Sequence, residues 1–596
     1  MSDIIKKEPP EAIPGAPEPI EAKTAEAEAS ESVEADQPKL RKLHIRERLK
    51  AMYGENRPID GDYDEALAAK CHNGTFVGKA DGDLTVFKGV PFAKPPVGEL
   101  RWKRPQPPED NGGVFEAYYN GKTPIQTEWP TEQASYYVQG EDCLYLNIWL
   151  NNSCPDRDKP VMAFLHGGSY GWGGTADPLY DGAAFVRANP DIILVTVGYR
   201  TGLMGFVDLS YLDGGADFPD APNLGILDQI EALRWIRRNI SAFGGDPGNV
   251  TVFGESAGGG SVSLLPVIKE AKGLFRRVIS ESGSVALTFS KEECRDFTRR
   301  LVRASGLRKM SDLMELTEDE LKKINVSLNM YNNFPQRDGR LIPENPYAAY
   351  KSGMTADVDI LIGTNSDEIN YWVGEIGGIV PFRFSIPVKF ENDMKTLKKK
   401  DRRRVDEFMS RLKGHKIWRM AEFYDEMMFR LPAVRQAELH NRRGGRVFMY
   451  YWIEPSALRF RGACHAVELA YVFGNLEETI FTGSRPDGEL SAKIMRMWAE
   501  FARTGDPSLS DLEWKEYDPK NRAAMVISRE PELKYDILRE QRELLSPLLG
   551  YMINPSYATL DYNVPFVRKT IGLALGAAAA VTVAGIAAVK ALTKNK

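Results

Sequence analysis

Four short apolar runs stand out along the middle of this chain, each followed at once by glycines or polar residues. They are 160–165 (PVMAFL), 250–253 (VTVF), 359–362 (DILI) and 447–452 (VFMYYW). Their length and their content of β-branched and aromatic residues predict short buried strands. After the second run the pattern changes, and from Gly259 onward (GGSVSLL) it predicts the start of a helix. A fifth apolar stretch is of another kind. Residues 570–589 are twenty residues without a charge, bracketed by Arg568 and Lys569 before and by Lys590, Lys594 and Lys596 after. A helix of that length spans about 30 Å, the hydrocarbon thickness of a bilayer.

The chemistry sits where the runs end. Ser256 falls between the second run and its helix, framed as Gly254-x-Ser256-x-Gly258. A strand-to-helix turn this sharp needs flanking residues without a Cβ, and it exposes the hydroxyl beside helix N–H groups. A Gly/Ser loop before a packing helix is the competing reading. The first run leads into His166-Gly167-Gly168-Ser169-Tyr170-Gly171, an HGG-type loop whose backbone amides can point into a cavity. The third run continues through 363–368 (GTNSDE), and the fourth precedes a loop carrying His465. Of six histidines, His44 and His72 lie ahead of these segments, His166 is in the glycine loop, and His415 and His440 lie in charge-rich helical stretches. An α/β-hydrolase requires the order serine, acid, histidine, and of the histidines that come late enough His465 alone follows a strong strand.

On these motifs the chain resembles the type-B carboxylesterases, a family that includes the cholinesterases and the non-catalytic neuroligins. The matching segments are 87–98 (FKGVPFAKPPVG), 141–149 (EDCLYLNIW), 223–229 (NLGILDQ), 235–258 and 464–474 (CHAVELAYVFG), and together they cover roughly 72–540. The resemblance implies an α/β-hydrolase fold, a large, mostly parallel central sheet flanked by helices, with further helices in a cap region. It implies Ser256 as nucleophile, Glu368 as acid and His465 as base, with Gly168, Ser169 and Ala257 as backbone oxyanion donors. Ser169 stands where the family most often has a third glycine; losing one such donor would cost about 3–4 kcal/mol. Activity is expected to fall as the pH drops through about 6 to 7, because the imidazole must be neutral. Glu255 is open between tuning the field and a structural role. Tyr170, Trp172, Tyr371 and Trp372 are open between lining a pocket and filling the core. Some family pockets hold a quaternary ammonium on a tryptophan near the position of Gln133; the nearest here is Trp129, so a general carboxylic ester, small or lipid, is the expected substrate. The alternatives are a catalytically inactive binding protein like the neuroligins and an acyltransferase using the same residues.

Composition narrows the rest. The chain has 596 residues, 43% hydrophobic and 27% charged, with a net charge of −6 that gives no reason to expect nucleic acid. No metal spacing appears, and neither metal nor cofactor is expected. Five cysteines (71, 143, 154, 294 and 464) show no evident pairing; the position that secreted relatives pair with Cys143, near Pro124 and Ile125, is not cysteine. Cys464 reads as a small buried packing residue. Reduced thiols and a charged, proline-rich start point to the cytoplasmic side. Residues 1–37 hold ten acidic and three basic side chains and are expected to be disordered. Residues 38–70 reverse sign and are read as a basic linker or helix, resting on anionic lipid or packed on the domain. The run 395–404 (KTLKKKDRRR) reads as the solvated face of a cap helix. The expected organisation is a hydrolase domain over 71–560 and a C-terminal transmembrane helix over 568–593, a single-pass anchor. In it, Gly572-x-x-x-Gly576 lets two helices approach closely, consistent with a homodimer.

Overall fold

All four central apolar runs become strands in the middle of one sheet. The computed structural model describes residues 48–110, 112–126, 137–328, 333–374, 383 and 386–551. Among the described residues fourteen strands are formed: β1 Ala68–Cys71, β2 Gly74–Val77, β3 Lys79–Asp81, β4 Leu84–Pro91, β5 Val114–Glu116, β6 Tyr145–Asn151, β7 Lys159–Leu165, β8 Ile193–Val197, β9 Gly245–Glu255, β10 Arg277–Glu281, β11 Asp359–Asn365, β12 Val447–Trp452, β13 Ala523–Ile527 and β14 Glu532–Tyr535. A small sheet has the order β1-β2-β5; the large one runs β14-β13-β12-β11-β10-β9-β7-β8-β6-β4-β3. Its centre, from β13 to β8, is parallel, and its flanks are antiparallel, so the sheet is mixed, with the expected parallel pairing confined to the middle.

The absence of polar alternation in the central strands has a direct cause. Successive side chains enter two different apolar cores. Val252, Val278, Ile360, Ile362 and Met449 join one cluster, and Phe253, Ile279, Leu361, Phe448 and Tyr450 join the other. Helices cover both faces. The labels used below are α1 Leu224–Asn239, α2 Ala257–Leu264, α3 Ile386–Thr396, α4 Lys399–Arg411, α5 Lys416–Tyr424, α6 Leu431–Asn441, α7 Gly488–Thr504 and α8 Arg539–Leu545. α1, α2 and α6 bury their apolar residues in the first cluster and α7 in the second. A third cluster joins α3, α4, α5 and α8. The basic run therefore spans two helices, α3 and α4, separated at Leu397 and Lys398, where a single cap helix was expected.

Family-like motifs turn out to be scaffolding as often as chemistry. Glu141 pairs with Arg101 through two contacts of 2.6 Å, both side chains buried. Asp228 accepts from Arg200 Nε at 2.8 Å and Nη2 at 2.6 Å, and from the Arg200 backbone at 3.0 Å. The chain divides into two units, Met1–Ala51 and Met52–Lys596; of the first, residues 48–51 are described and are helical. The acidic stretch 1–37 and residues 38–47 of the basic segment after it lie outside the described residues, as do Trp129, Gln133 and 570–589. Among the described residues no helix is long and apolar enough to cross a membrane.

Candidate active site

Sheet register brings the chemistry together. Leu165 of β7 pairs with Gly254 of β9, Glu255 with Glu281 of β10, and Glu281 with Gly363 of β11. These strands end on one edge, the carboxyl edge at which open α/β sheets place their ligands. β9 runs to Glu255, two residues beyond the apolar run, and α2 begins at Ala257, two residues earlier than its pattern indicated. Ser256 is the single residue between them, at φ 56° and ψ −115°. The turn holds because its neighbours lack side chains. A Cβ on Gly258 would lie 1.9 Å from the Leu165 carbonyl oxygen, and one on Gly254 2.6 Å from the same atom. Both are well inside van der Waals contact, so the two framing glycines are sterically required.

The glycine loop adopts a comparable strained path. Gly168 has φ 105°, where a Cβ would meet the Trp172 carbonyl oxygen at 2.2 Å. Ser169 and Tyr170 follow at φ 51° and 58°. Ser169 thus adopts the left-handed conformation that glycine takes freely and that disfavours a residue with a Cβ by roughly 1–2 kcal/mol. His166 anchors the loop: its ring stacks on Tyr199 with centroids 4.3 Å apart, and the Tyr199 hydroxyl donates to the His166 carbonyl at 2.6 Å. Burial lowers the His166 imidazole to about 4, so it stays neutral.

His465 and Glu368, ninety-seven positions apart, meet at 2.6 Å between Nδ1 and Oε2. The Asn365 backbone amide donates to the other oxygen of Glu368 at 2.8 Å, and the His465 amide donates to the Glu368 carbonyl at 3.3 Å. Nε2 of His465 is buried without a hydrogen-bond partner and lies 3.1 Å from Glu255 Oε1. Ser256 and His465 line the same cavity, of about 480 Å³, with Gly168, Ser169 and Glu255. Serine–histidine hydrogen bonds in such sites commonly tighten when substrate binds.

The electrostatics depart from what the sequence suggested. Burial disfavours the imidazolium, but Glu255 and Glu368 on either side of the ring outweigh it and push His465 up to about 9. The expected pH fall through 6 to 7 took His465 at its ordinary value; two carboxylates displace it upward. Glu255 is itself raised to about 8 by burial, against the pull of His465. Two further carboxyls went unnoticed in the sequence. Glu468 is raised to about 7 by burial and by Glu368, and its Oε2 accepts from Asn365 Nδ2 at 2.6 Å. Glu281 is pushed well above the carboxylate range by burial; Trp498 Nε1 donates to its Oε1 at 2.6 Å, and Oε2 has no partner. A glutamate three positions after His465 and one ending the strand beside the serine's were the available signals.

The aromatic question resolves by residue. Trp172, Tyr371 and Trp372 line the cavity, whereas Tyr170 is fully buried against Phe206 and Phe334. Trp372 and Phe429 flank the His465 ring at 4.9 and 5.2 Å. Phe429 is delivered by a π-helical turn, Asp425–Arg430, between α5 and α6, a local widening often found at functional sites. Cys464 is fully buried, and none of the five cysteines is bridged. Among the described residues no group of three His, Cys, Asp or Glu side chains is placed to hold a metal ion.

Comparison with known proteins agrees with this architecture. The family model described as Carboxylesterase family matches residues 66–544. Para-nitrobenzyl esterase of Bacillus subtilis (strain 168) is 34% identical over 498 residues, covering 80% of this chain and 98% of its own. An acetylcholinesterase of Leptinotarsa decemlineata is 31% identical over 509 residues, covering 73% and 77%. Among solved structures, a thermophilic PNB esterase superposes with a TM-score of 0.71 at 31% identity, covering 80% of this chain and 99% of its own. A Geobacillus stearothermophilus carboxylesterase gives 0.70 at 31%, with the same coverage. Sheet order, glycine-framed serine and sequence likeness converge: the chain belongs to the carboxylesterase family and has its α/β-hydrolase fold.

Proposed function

We propose that this carboxylesterase acts through Ser256, His465 and Glu368 and is held at a membrane by its C-terminal segment. The observation that carries the catalytic reading is the 2.6 Å contact between His465 Nδ1 and Glu368 in the cavity that Ser256 lines. Ser256 Oγ attacks the ester carbonyl while Nε2 of His465 takes its proton. Glu368 fixes the imidazole tautomer and stabilises the imidazolium. The tetrahedral oxyanion lies against the amides of Gly168, Ser169 and Ala257; Ala257 opens α2, where N–H groups have no intrahelical acceptor. Collapse expels the alcohol with the proton from His465. Water, deprotonated by the same nitrogen, then releases the acid from acyl-Ser256. The aromatic walls Trp172, Tyr371 and Trp372 favour an apolar acyl group, in a small ester or a lipid. Residues 570–589 supply the membrane tether, with the catalytic domain on the cytoplasmic side and Gly572 and Gly576 bringing two copies together.

The test is fluorophosphonate labelling with hydrolysis of p-nitrophenyl esters of graded chain length. Ser256→Ala is expected to abolish labelling and to lower kcat on the order of 10⁴–10⁶-fold. A wild-type protein that neither labels nor hydrolyses would overturn the catalytic reading. Acyl transfer to an added alcohol without hydrolysis would replace water as the acceptor. Extraction of the full chain from membranes by high salt alone would overturn the tether.

A further inference from the structure

The outer face of the cap helices carries a charge pattern that stability does not call for. Between Lys395 and Arg419 there are eleven lysines and arginines and three acids (Asp401, Asp406 and Glu407), in a chain of net charge −6. One of those acids, Asp401, is buried, and another, Glu407, pairs with Arg411. Lys398, Lys399, Lys400 and Arg403 are exposed and form no ion pair among the described residues; the pairs of this region use Lys389 and Arg411. Their position is electrostatically unfavourable for a helix. Lys398 is the N-cap of α4 without a side-chain cap bond, and Lys399 and Lys400 follow in the first turn, where the macrodipole opposes positive charge. Helix stability therefore does not account for them.

Two further observations indicate what such a face meets. Phe460 is 42% exposed. Its ring stacks on Trp418 of α5 at 5.8 Å, with the Arg459 guanidinium 4.4 Å above it. An exposed aromatic set among cations is the composition of surfaces that lie in the headgroup region of a bilayer. The second observation is where the described chain ends. The Tyr551 hydroxyl donates to Asp401 Oδ2 at 2.6 Å and accepts from the Lys398 amide at 3.2 Å, which pins the last described residue to the start of α4. Eighteen residues then separate Tyr551 from the uncharged stretch that begins at Thr570, a reach of at most about 60 Å.

We propose that this face, centred on Lys398, Lys399, Lys400 and Arg403, docks on the anionic headgroups of a lipid bilayer. It is the outer side of the module that walls the candidate site. The apolar cluster beneath it runs from Val405 and Phe408 to Ile369 and Phe429, with Trp372 packed on it, and Trp372 lines the cavity. The inference deepens the tethered reading, but the charges and Phe460 stand independently of it.

The full-length protein is tested by flotation with vesicles of phosphatidylcholine alone and of phosphatidylcholine mixed with phosphatidylserine. A basic residue near an anionic surface contributes about 1 kcal/mol of attraction. Reversing four of them (K398E, K399E, K400E, R403E) is expected to weaken binding to the mixed vesicles at least tenfold, with p-nitrophenyl ester hydrolysis retained. Binding to phosphatidylcholine alone, which reports the C-terminal segment, is expected to stay the same. A milder set with glutamine at the four positions is expected to lose roughly half as much, and it serves if the reversed set fails to fold. Equal preference for mixed vesicles in wild type and variant overturns the docking face and leaves the tether standing. Wild-type binding only to mixed vesicles, lost in the variant, upholds the face and defeats the tether. No preference of the wild type for phosphatidylserine overturns the face outright.

Discussion

Two buried carboxylate regions of this molecule are built on opposite principles. Beneath the motif segments, Asp228 and Glu141 each face their own guanidinium, from Arg200 and Arg101 respectively, with two short contacts apiece. At the carboxyl edge of the sheet, Glu255, Glu281, Glu368 and Glu468 are all buried, and three of them, Glu255, Glu368 and Glu468, share the imidazole of His465 as their ionisable partner. A buried charge is tolerated when it is paired and hydrogen-bonded; without a partner it shifts its proton affinity instead. In the first region charge is cancelled locally, and the reward is geometry. In the second it is left over, and burial raises the proton affinities of Glu255, Glu281 and Glu468 at the carboxyl edge. Perturbed groups concentrated in this way are the mark of a site tuned for proton transfer.

Breaking a pair in the first region is expected to have the largest effect. Asp228→Ala leaves the Arg200 guanidinium buried without its carboxylate, and loss of one partner of such a pair destabilises by about 3–5 kcal/mol. Chemical unfolding should show this as a lower midpoint, with activity per folded molecule largely kept. A loss below about 1 kcal/mol would mean the two regions do not differ in kind.

The next effect falls in the second region, on pH dependence rather than stability. Burial works against the His465 imidazolium, and Glu255 and Glu368 reverse the balance and hold it up to about 9. Glu255→Gln removes one of those charges. The imidazolium is then less favoured, so the acidic limb of kcat/KM should move down from about 9 toward the ordinary value near 6.5, raising the active fraction at neutral pH. A limb that stays put or moves up would show that Glu255 does not set the proton affinity of His465.

Much of this could be read before the fold was seen, and the boundary has a physical basis. The β9 turn is legible because local sterics dictate it: with Gly254 and Gly258 framing Ser256, few conformations remain. His465 was reachable through its place after the fourth apolar run and Glu368 through the family resemblance, and the structure brings them within 2.6 Å. Glu281 and Glu468 were not. Their meaning depends on register between strands, which pairs Glu281 with Glu255, and on a long-range amide from Asn365. Nor could the pattern show that Ser169 would sit at φ 51°, since a serine in a glycine loop has no sequence mark of its backbone angle. The break at Leu397 and Lys398 escaped because charge continues through it while the apolar positions Met394, Leu397, Val405 and Phe408 are sparse.

The smallest effect on activity is the most discriminating. Glu281 is fully buried, with one oxygen taken by Trp498 Nε1 and the other without a partner. Burial pushes its proton affinity well above the usual carboxylate range, and the protonated acid has nearly the same shape as glutamine. Glu281→Gln keeps a carbonyl-type acceptor for Trp498 and replaces an O–H with an N–H₂. Unfolding free energy below about pH 4, where the glutamate is protonated both folded and unfolded, is therefore expected to change by less than about 1 kcal/mol, and the pH limb of activity should not move. Stability should begin to separate as the pH rises above about 4, where an unfolded glutamate ionises. There the unfolded wild-type glutamate is ionised while the folded one resists ionisation, so wild type loses stability with rising pH and the glutamine variant does not. A loss above about 2 kcal/mol at pH 7, or a downward shift of the limb like that of Glu255→Gln, would mean Glu281 carries a charge that something in the site neutralises. The second region would then be paired after all, on the same principle as the first.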